Sequence, residues 1–414
     1  MNSLSDKLRA LGVQVGAENI PTPAQKINLN RLEDVLPGKW QETPHGDAFV
    51  VEKRYPANFL QGNIPLRPTA SLDVIAAWAK TPRLPGLPLE RFAFIDTETT
   101  GLSGGAGIYT FLIGVGRFEG DEFHLAQFFM RDPAEEAGQL AALEAFLAPC
   151  EAIVSYNGKS FDMPHLKTRY SAHGWQAPLQ NAAHVDLLHL ARRIWQERLP
   201  SRTLGEIEFH ILGLERAEED IPGWQIPDLF FEYLRTKNAQ PLKSVFYHND
   251  MDVVSMAALL NRTAAMLAHP LGDSVQHPLE MLPIGKLFAD LGKFAQAASV
   301  YERALAQEDI PVEAYWKGVK RLSLVHKKQG NLARAIHLWE EAARNGQIYA
   351  NVELAKIHEH KNKDVAEALH WTLEAIENVQ DSRYPQHQRA EWLPKLQHRL
   401  ERLKRKLAKL RGMV

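Results

Sequence analysis

Phe92-Ala-Phe-Ile-Asp-Thr-Glu-Thr-Thr-Gly-Leu102 is the stretch on which the reading of this chain turns. An apolar run ends in Asp96 and Glu98, two carboxylates at i and i+2, and a polar, glycine-bearing turn follows at once. Side chains along a strand repeat every second residue, so both acids project to one side of a sheet. Carboxylates held side by side repel one another and destabilise the fold unless a cation lies between them. A hard divalent cation such as Mg²⁺ meets that need through carboxylate oxygens. The competing reading is purely local, with Asp96 capping the turn and Glu98 facing solvent.

Two later segments supply partners. Ala152-Ile-Val-Ser-Tyr-Asn-Gly-Lys-Ser-Phe-Asp162 reads as an apolar strand, an Asn157-Gly158 turn and an acid opening a helix. Phe246-Tyr-His-Asn-Asp-Met-Asp252 reads as a helix that carries His248 and Asp252 at i and i+4, on one face. Four acids in the order Asp-x-Glu, Asp, Asp, with a His or Tyr near the last, form the pattern of two-metal phosphodiester cleavage. Asp250 competes for the last position but lies on the opposite side of the helix from Asp252.

On these three motifs the region from about residue 90 to 265 resembles the DEDD exonucleases of the ribonuclease H-like superfamily. Tyr156-Asn-Gly-Lys-Ser-Phe-Asp162, His184-Val-Asp-Leu-Leu-His189 with Arg192-Arg-Ile-Trp195, and Asp220-Ile-Pro-Gly223 narrow the resemblance to the YprB-type bacterial proteins. That family has a ribonuclease H-like domain and often a tetratricopeptide region. The resemblance implies a mixed central sheet flanked by helices and a site for two Mg²⁺ or Mn²⁺ ions. Asp96 is expected to bridge the ions, Glu98 and Asp252 to complete one shell, and Asp162 to hold the second ion. Thr99, Thr100, Gly101 and Leu102 match the segment that borders the terminal nucleotide in these exonucleases.

His248 is the expected general base, since an unperturbed imidazole titrates near neutral pH. The chain departs here from both branches of the superfamily. The His-type branch places its His five residues before the last Asp and the Tyr-type branch places its Tyr four before. This sequence has His248 at four and Tyr247 at five, which leaves Tyr247 in reserve. Asn157 is a candidate contact to the nucleotide, with simple turn formation as its other reading. Lys159, Arg192 and Arg202 are candidate phosphate contacts, with a solvated surface as the alternative. Asp186 and His184 form a His-x-Asp pair, and Asp186 is read as a supporting or structural acid.

Composition narrows the partners. The formal charge is −2 over 414 residues, so a polynucleotide must be gripped by a local basic patch or through metal-bridged phosphates. The single cysteine, Cys150, excludes an internal disulfide, makes a thiolate zinc site implausible and reads as a buried structural residue. No apolar run approaches the length of a membrane span, and the N-terminus has no long apolar core, so a cytoplasmic protein with no membrane contact is expected.

Residues 1–90 read as an N-terminal extension packed on the core, with a strand in Asp47–Glu52. Residues 91–268 read as the ribonuclease H-like domain. Its expected strands are Phe92–Ile95, Thr110–Phe118, Phe123–Phe129 and Ala152–Ser155, and its helices include Pro133–Phe146 and His184–Trp195. From 277 to 414 the pattern changes. Ala297, Ala335 and Ala368 hold equivalent places in similar segments 38 and 33 residues apart, which suggests tetratricopeptide-like helix pairs and an all-α second domain. From Trp392 to Arg411 eight Lys and Arg residues stand against the single acid Glu401, a basic capping helix. The expected function is a metal-dependent nuclease on single-stranded DNA or RNA, working 3′→5′, with a protein partner on the repeats. Two rivals remain: a binding scaffold with a vestigial site, and an adaptor in which the repeats are primary.

Overall fold

The computed structural model describes residues 30–412 except 57, 102–106, 219 and 382–383. Seven of its strands form one sheet in the order β1-β2-β7-β6-β5-β8-β9. These are β1 (Gly38–Gln41), β2 (Ala48–Pro56), β5 (Phe92–Thr99), β6 (Thr110–Glu119), β7 (Glu122–Phe129), β8 (Ala152–Ser155) and β9 (Ala183–Asp186). The short strands β3 (Leu60–Gln61) and β4 (Ile64–Pro65) pair separately. The sheet is mixed: β5 runs antiparallel to β6 and parallel to β8, and β8 runs parallel to β9.

The apolar run before Asp96 is buried on both faces, as a central strand covered by helices requires. Phe92 and Phe94 enter one core with the helices Leu187–Trp195 and Leu242–Ala268, while Ala93 and Ile95 enter another with Glu136–Leu147 and Asp162–Ala172. Strict alternation therefore continues the Phe92–Phe94 face into Asp96 and Glu98, toward the helix Leu242–Ala268.

Two expectations change. Leu66, Val74, Ile75 and Leu84 of the segment before Phe92 do pack on the core, but the strand expected in Asp47–Glu52 is part of β2, which pairs with β7 from Phe49–Phe129 to Pro56–Glu122 and so belongs to the central sheet. The expected helix His184–Trp195 is divided: His184–Asp186 lie in β9 and the helix begins at Leu187. The reason is local. Asp186 caps that helix by accepting from the Leu188 N–H at 3.1 Å, and the residues before a cap are extended.

From Pro278 the chain is helical, with antiparallel pairs Pro278–Asp290/Phe294–Leu305, Val312–Lys328/Leu332–Arg344 and Ile348–Ile357/Val365–Gln380, then Gln386–Arg411. The first pair does not stand apart from the sheet domain. Met281, Leu282, Leu287, Phe288 and Tyr301 share one core with Phe92, Phe94 and Trp195. The Trp195 indole N–H donates to buried Glu280 at 2.8 Å. Cys150 is buried, which pushes its thiol up to about 11. Among the described residues no helix is long and apolar enough to cross a membrane.

Candidate active site

Asp96 and Glu98 sit at the end of β5, half-buried, while Thr97 and Thr99 between and beyond them are 6% and 5% exposed. Across the ladder from Asp96 stands Gly114, and a Cβ there would lie 2.2 Å from the Asn249 Oδ1. Only glycine lets the helix Leu242–Ala268 approach this closely. Asn249 uses the approach: its Nδ2 donates to Asp96 Oδ2 at 2.8 Å, and its Oδ1 accepts from Gln127 Nε2 at 2.9 Å. One turn of the same helix presents His248 and Asp252, with His248 Nε2 3.8 Å from Asp252 Oδ2.

Asp162 opens its helix and is 4% exposed. Thr97 Oγ1 donates to its Oδ1 at 2.5 Å, tying that helix to β5. The turn before it is equally constrained. Asn157 has a left-handed φ of 69°, and a Cβ on Gly158 would lie 2.5 Å from Ser155 and 2.9 Å from Asp162 Oδ2. Asp186 holds the turn by accepting from the N–H groups of Asn157 at 2.9 Å and Lys159 at 3.1 Å. His184 bonds Ser155 Oγ at 2.7 Å. Burial, with Lys159 adding to it, lowers the His184 imidazole to about 4, so it is neutral and structural.

Asp96 and Glu98 feel the charges of Asp162 and Asp252. Burial first, then the charges of Asp252 and Asp162, hold the Asp96 carboxyl well above its ordinary range. Glu98 is raised by burial and then by Asp96, Asp252 and Asp162. Burial raises Asp162 to about 6 against the opposing Thr97 hydrogen bond. One cation faces the group. Arg216 is ion-paired with Asp252 and reaches Glu208 through Nε at 2.6 Å and Nη2 at 2.7 Å. Burial works against its charge, and Asp252 and Glu208 outweigh that and stabilise it. Asp220 completes the surround at 2.9 Å from His248 Nδ1.

Other expected residues lie elsewhere. Asp250 is 3% exposed and bound by Lys53 and by the Tyr55 hydroxyl at 2.7 Å, on the far side of the helix from Asp252. The Tyr247 hydroxyl accepts from the Ala217 N–H at 3.2 Å, bracing the Arg216 loop. The Thr99 hydroxyl, one residue beyond Glu98, donates to the Gly101 carbonyl at 2.8 Å and so shapes the loop. Leu102 lies outside the described residues. Asn157, Arg192 and Arg202 line a cleft of about 460 Å³ with Tyr156 and Leu188. Lys159 is exposed beside it.

Sequence reasoning missed Asn249, Thr97 and Arg216. Asn249 stands at i−3 from Asp252, so helical spacing offered a signal. Arg216 sits in a mixed-charge loop, Leu214-Glu-Arg-Ala-Glu, with no period to read.

Residues 93–264 match the RNase_H superfamily, and residues 282–318 and 321–383 match the tetratricopeptide repeat. The Bacillus subtilis (strain 168) protein named "Uncharacterized protein YprB" is 34% identical over 346 residues, covering 81% of this chain and 80% of that protein. The chain belongs to the YprB family. Its sheet domain is a ribonuclease H-superfamily domain, followed by tetratricopeptide repeats, as the motifs and the repeat spacing implied. The family B DNA polymerase of Pyrobaculum calidifontis aligns over 49% of this chain and 29% of its own. At 19% identity and a TM-score of 0.33 that likeness carries no argument.

Among the described residues no three of His, Cys, Asp and Glu form a ready-made metal cage. The donor chemistry nonetheless suits hard divalent ions. Four oxygen-donor side chains lie within electrostatic reach at Asp96 and Glu98, and among the described residues the one guanidinium paired with them is shared with Glu208 and Asp220.

Proposed function

We propose that this YprB-family chain is a divalent-metal-dependent nuclease that hydrolyses phosphodiester bonds of single-stranded nucleic acid from the 3′ end. The feature that carries the reading is the placement of Asp162 and Asp252 so close to Asp96 and Glu98 at the end of β5 that their charges add to burial in raising both carboxyls. Unrelieved repulsion of this kind is costly, and a site that binds cations turns it to use.

Asp96, Glu98 and Asp252 would hold one ion and Asp96 with Asp162 a second, of Mg²⁺ or Mn²⁺. Bound there, the ions would neutralise the leaving oxygen and ease deprotonation of the attacking water. The chain's own groups do the rest. Asp220 accepts from Nδ1 of His248 and fixes the ring, which leaves Nε2 to take the proton of the attacking water. Thr97 and Asn249 hold the Asp162 and Asp96 carboxylates in place. The strand enters along the Asn157–Arg202 cleft, where Arg192 can meet a phosphate. Trp224, 70% exposed on the loop that follows Asp220, offers a face on which a base can stack.

Purified full-length protein tests the reading on 5′-labelled single-stranded oligonucleotides. Mg²⁺ or Mn²⁺ should give a descending ladder, EDTA none, and Asp96→Ala none. Cleavage undiminished in Asp96→Ala would sink the assigned site. The rival reading, a binding scaffold with a silent site, draws on Arg216 already seated against Asp252. Failure of Mg²⁺ and Mn²⁺ to bind by calorimetry would favour it.

A further inference from the structure

The repeat region carries a second feature that the nuclease site does not use. Its first helices, one from each pair, face a common groove. One cavity of about 410 Å³ is lined by Lys320, Lys356, Lys395 and Arg399, with Glu353 as its only acid. A second of about 570 Å³ is lined by Lys286, Arg321, Lys327 and Lys328, with Asp290 as its only acid. Both include Leu324, which is 38% exposed, so the two are neighbours along the helix Val312–Lys328.

Eight cations and two carboxylates line the two cavities, in a chain whose formal charge is −2. Six of these cations are matched: Lys286 with Asp290, Arg321 with Glu197, Lys327 and Lys356 with Glu353, Lys395 with Glu391, and Arg399 with Glu359. Others are not. Lys320 and Lys328 have no ion pair among the described residues and lie over the rings of Tyr349 at 5.1 Å and Phe294 at 5.3 Å. Arg321 is paired with Glu197 at 3.8 Å through Nη2 but has a buried Nη1 without a hydrogen-bond partner among the described residues. Tyr349 and Trp392 add aromatic surface to the groove wall.

We propose that this groove binds single-stranded nucleic acid and forms the distal part of the substrate track. Three features favour that occupant. The charges are spread along successive helices, which suits a linear polyanion whose charges recur at every unit. Aromatic rings stand among the cations, the combination that stacks bases while neutralising phosphates. The groove is also anchored beside the proposed active-site cleft. Arg193 pairs with Asp290 at the groove edge, and its neighbour Arg192 lines the Asn157 cleft. Lys317 reaches Glu197 at 2.5 Å across the same junction. The choice of nucleic acid over an acidic polypeptide rests on the nuclease reading, and the other occupant is an outcome of the test.

The experiment is fluorescence anisotropy on the full-length chain in EDTA, so that no cleavage is needed. Wild type is compared with the triple variant Lys320→Glu/Lys328→Glu/Lys395→Glu, whose positions are all exposed. For a strand of about 30 nucleotides the variant should lose roughly tenfold or more in affinity, and the slope of log K against log salt should shrink by about 2. Binding of a strand of about four nucleotides should not change. Hydrogen exchange should show the long strand protecting Val312–Lys328 and Ile348–Ile357 in wild type only. Equal affinity and salt slope in the two proteins would overturn the proposal. So would poly-glutamate binding the groove more tightly than the long strand, which would assign it to an acidic protein. Groove binding in a protein that never cleaves with Mg²⁺ or Mn²⁺ would sink the nuclease reading and leave the groove assignment standing.

Discussion

Around Glu136 and around Asp96 the same domain treats charge in opposite ways. Glu136 is 3% exposed and fully matched, with Arg169 Nη2 at 2.7 Å and His173 Nε2 at 2.9 Å. The pairing with Glu136 in turn raises the Arg169 guanidinium against the effect of burial. At the end of β5 the balance is reversed, with four acids and one guanidinium that also serves Glu208. Complete pairing marks residues that hold the fold together. Incomplete pairing leaves charge that an incoming cation would match.

The largest effect expected from this contrast is on catalysis. Asp96→Ala and Asp252→Ala should each lower turnover on single strands by more than the roughly 10–100-fold that losing an outer partner costs. Both should keep the wild-type circular dichroism. A surviving rate within tenfold of wild type in either variant would remove that acid from the site.

Next comes the base. His248→Ala should lower turnover by roughly 10²–10⁴-fold, with metal affinity by calorimetry little changed. Tyr247→Phe removes only the hydroxyl that braces Ala217 and should cost far less. The opposite ranking would transfer the role to Tyr247.

The matched acid should respond in stability and not in rate. Glu136→Gln removes the carboxylate that both Arg169, itself 4% exposed, and His173 meet, and should cost about 3–5 kcal/mol in denaturant unfolding. Metal-dependent turnover per folded molecule should stay near wild type.

How much of this contrast was legible in the sequence differs by residue. The alternation of β5 and the i, i+4 spacing of His248 and Asp252 are periodic, so the acids and their common direction were readable. The place of β2 was not, because pairing with β7 joins residues about 70 apart and nothing in Ala48–Pro56 names its partner. Arg216 was hidden for a similar reason. Its partners Glu208, Asp220 and Asp252 come together only after the loop folds back on the helix Leu242–Ala268. His184 was misplaced in a helix because its strand is only four residues long and the cap at Asp186 is set by contacts with a distant turn.

A smaller effect concerns pH in EDTA. The folded Asp162 titrates at about 6, above the ordinary 3.8, so between those values the folded chain holds a proton that the unfolded chain has released. Folding stability from this group therefore falls as pH rises through the window, by roughly 3 kcal/mol in total. His184 runs the other way. With its folded value near 4 and its ordinary value 6.5, it lowers stability as pH falls through that range. The raw curve mixes the two, so the difference between wild type and Asp162→Asn carries the test. Wild type should gain on the variant from pH 6 to pH 4, and a flat difference would mean that Asp162 is not electrostatically strained.

The smallest effect is the sharpest test of the contrast, because it predicts a sign. Asp96→Asn keeps the size of the side chain and leaves an oxygen to accept from Asn249, but removes a charge that Asp252 and Asp162 oppose. Relief of part of that repulsion should stabilise the metal-free protein by about 1 kcal/mol, a rise of roughly one or two degrees in melting temperature. Glu136→Gln should move the melting temperature down under the same conditions. Adding Mg²⁺ should then raise wild type by mass action and leave Asp96→Asn nearly where it was, since a ligand stabilises only the state that binds it. If Asp96→Asn instead melted lower in EDTA, as Glu136→Gln does, the carboxylate at the end of β5 would be holding the fold together like any matched acid, and the case for a metal there would lose its physical ground.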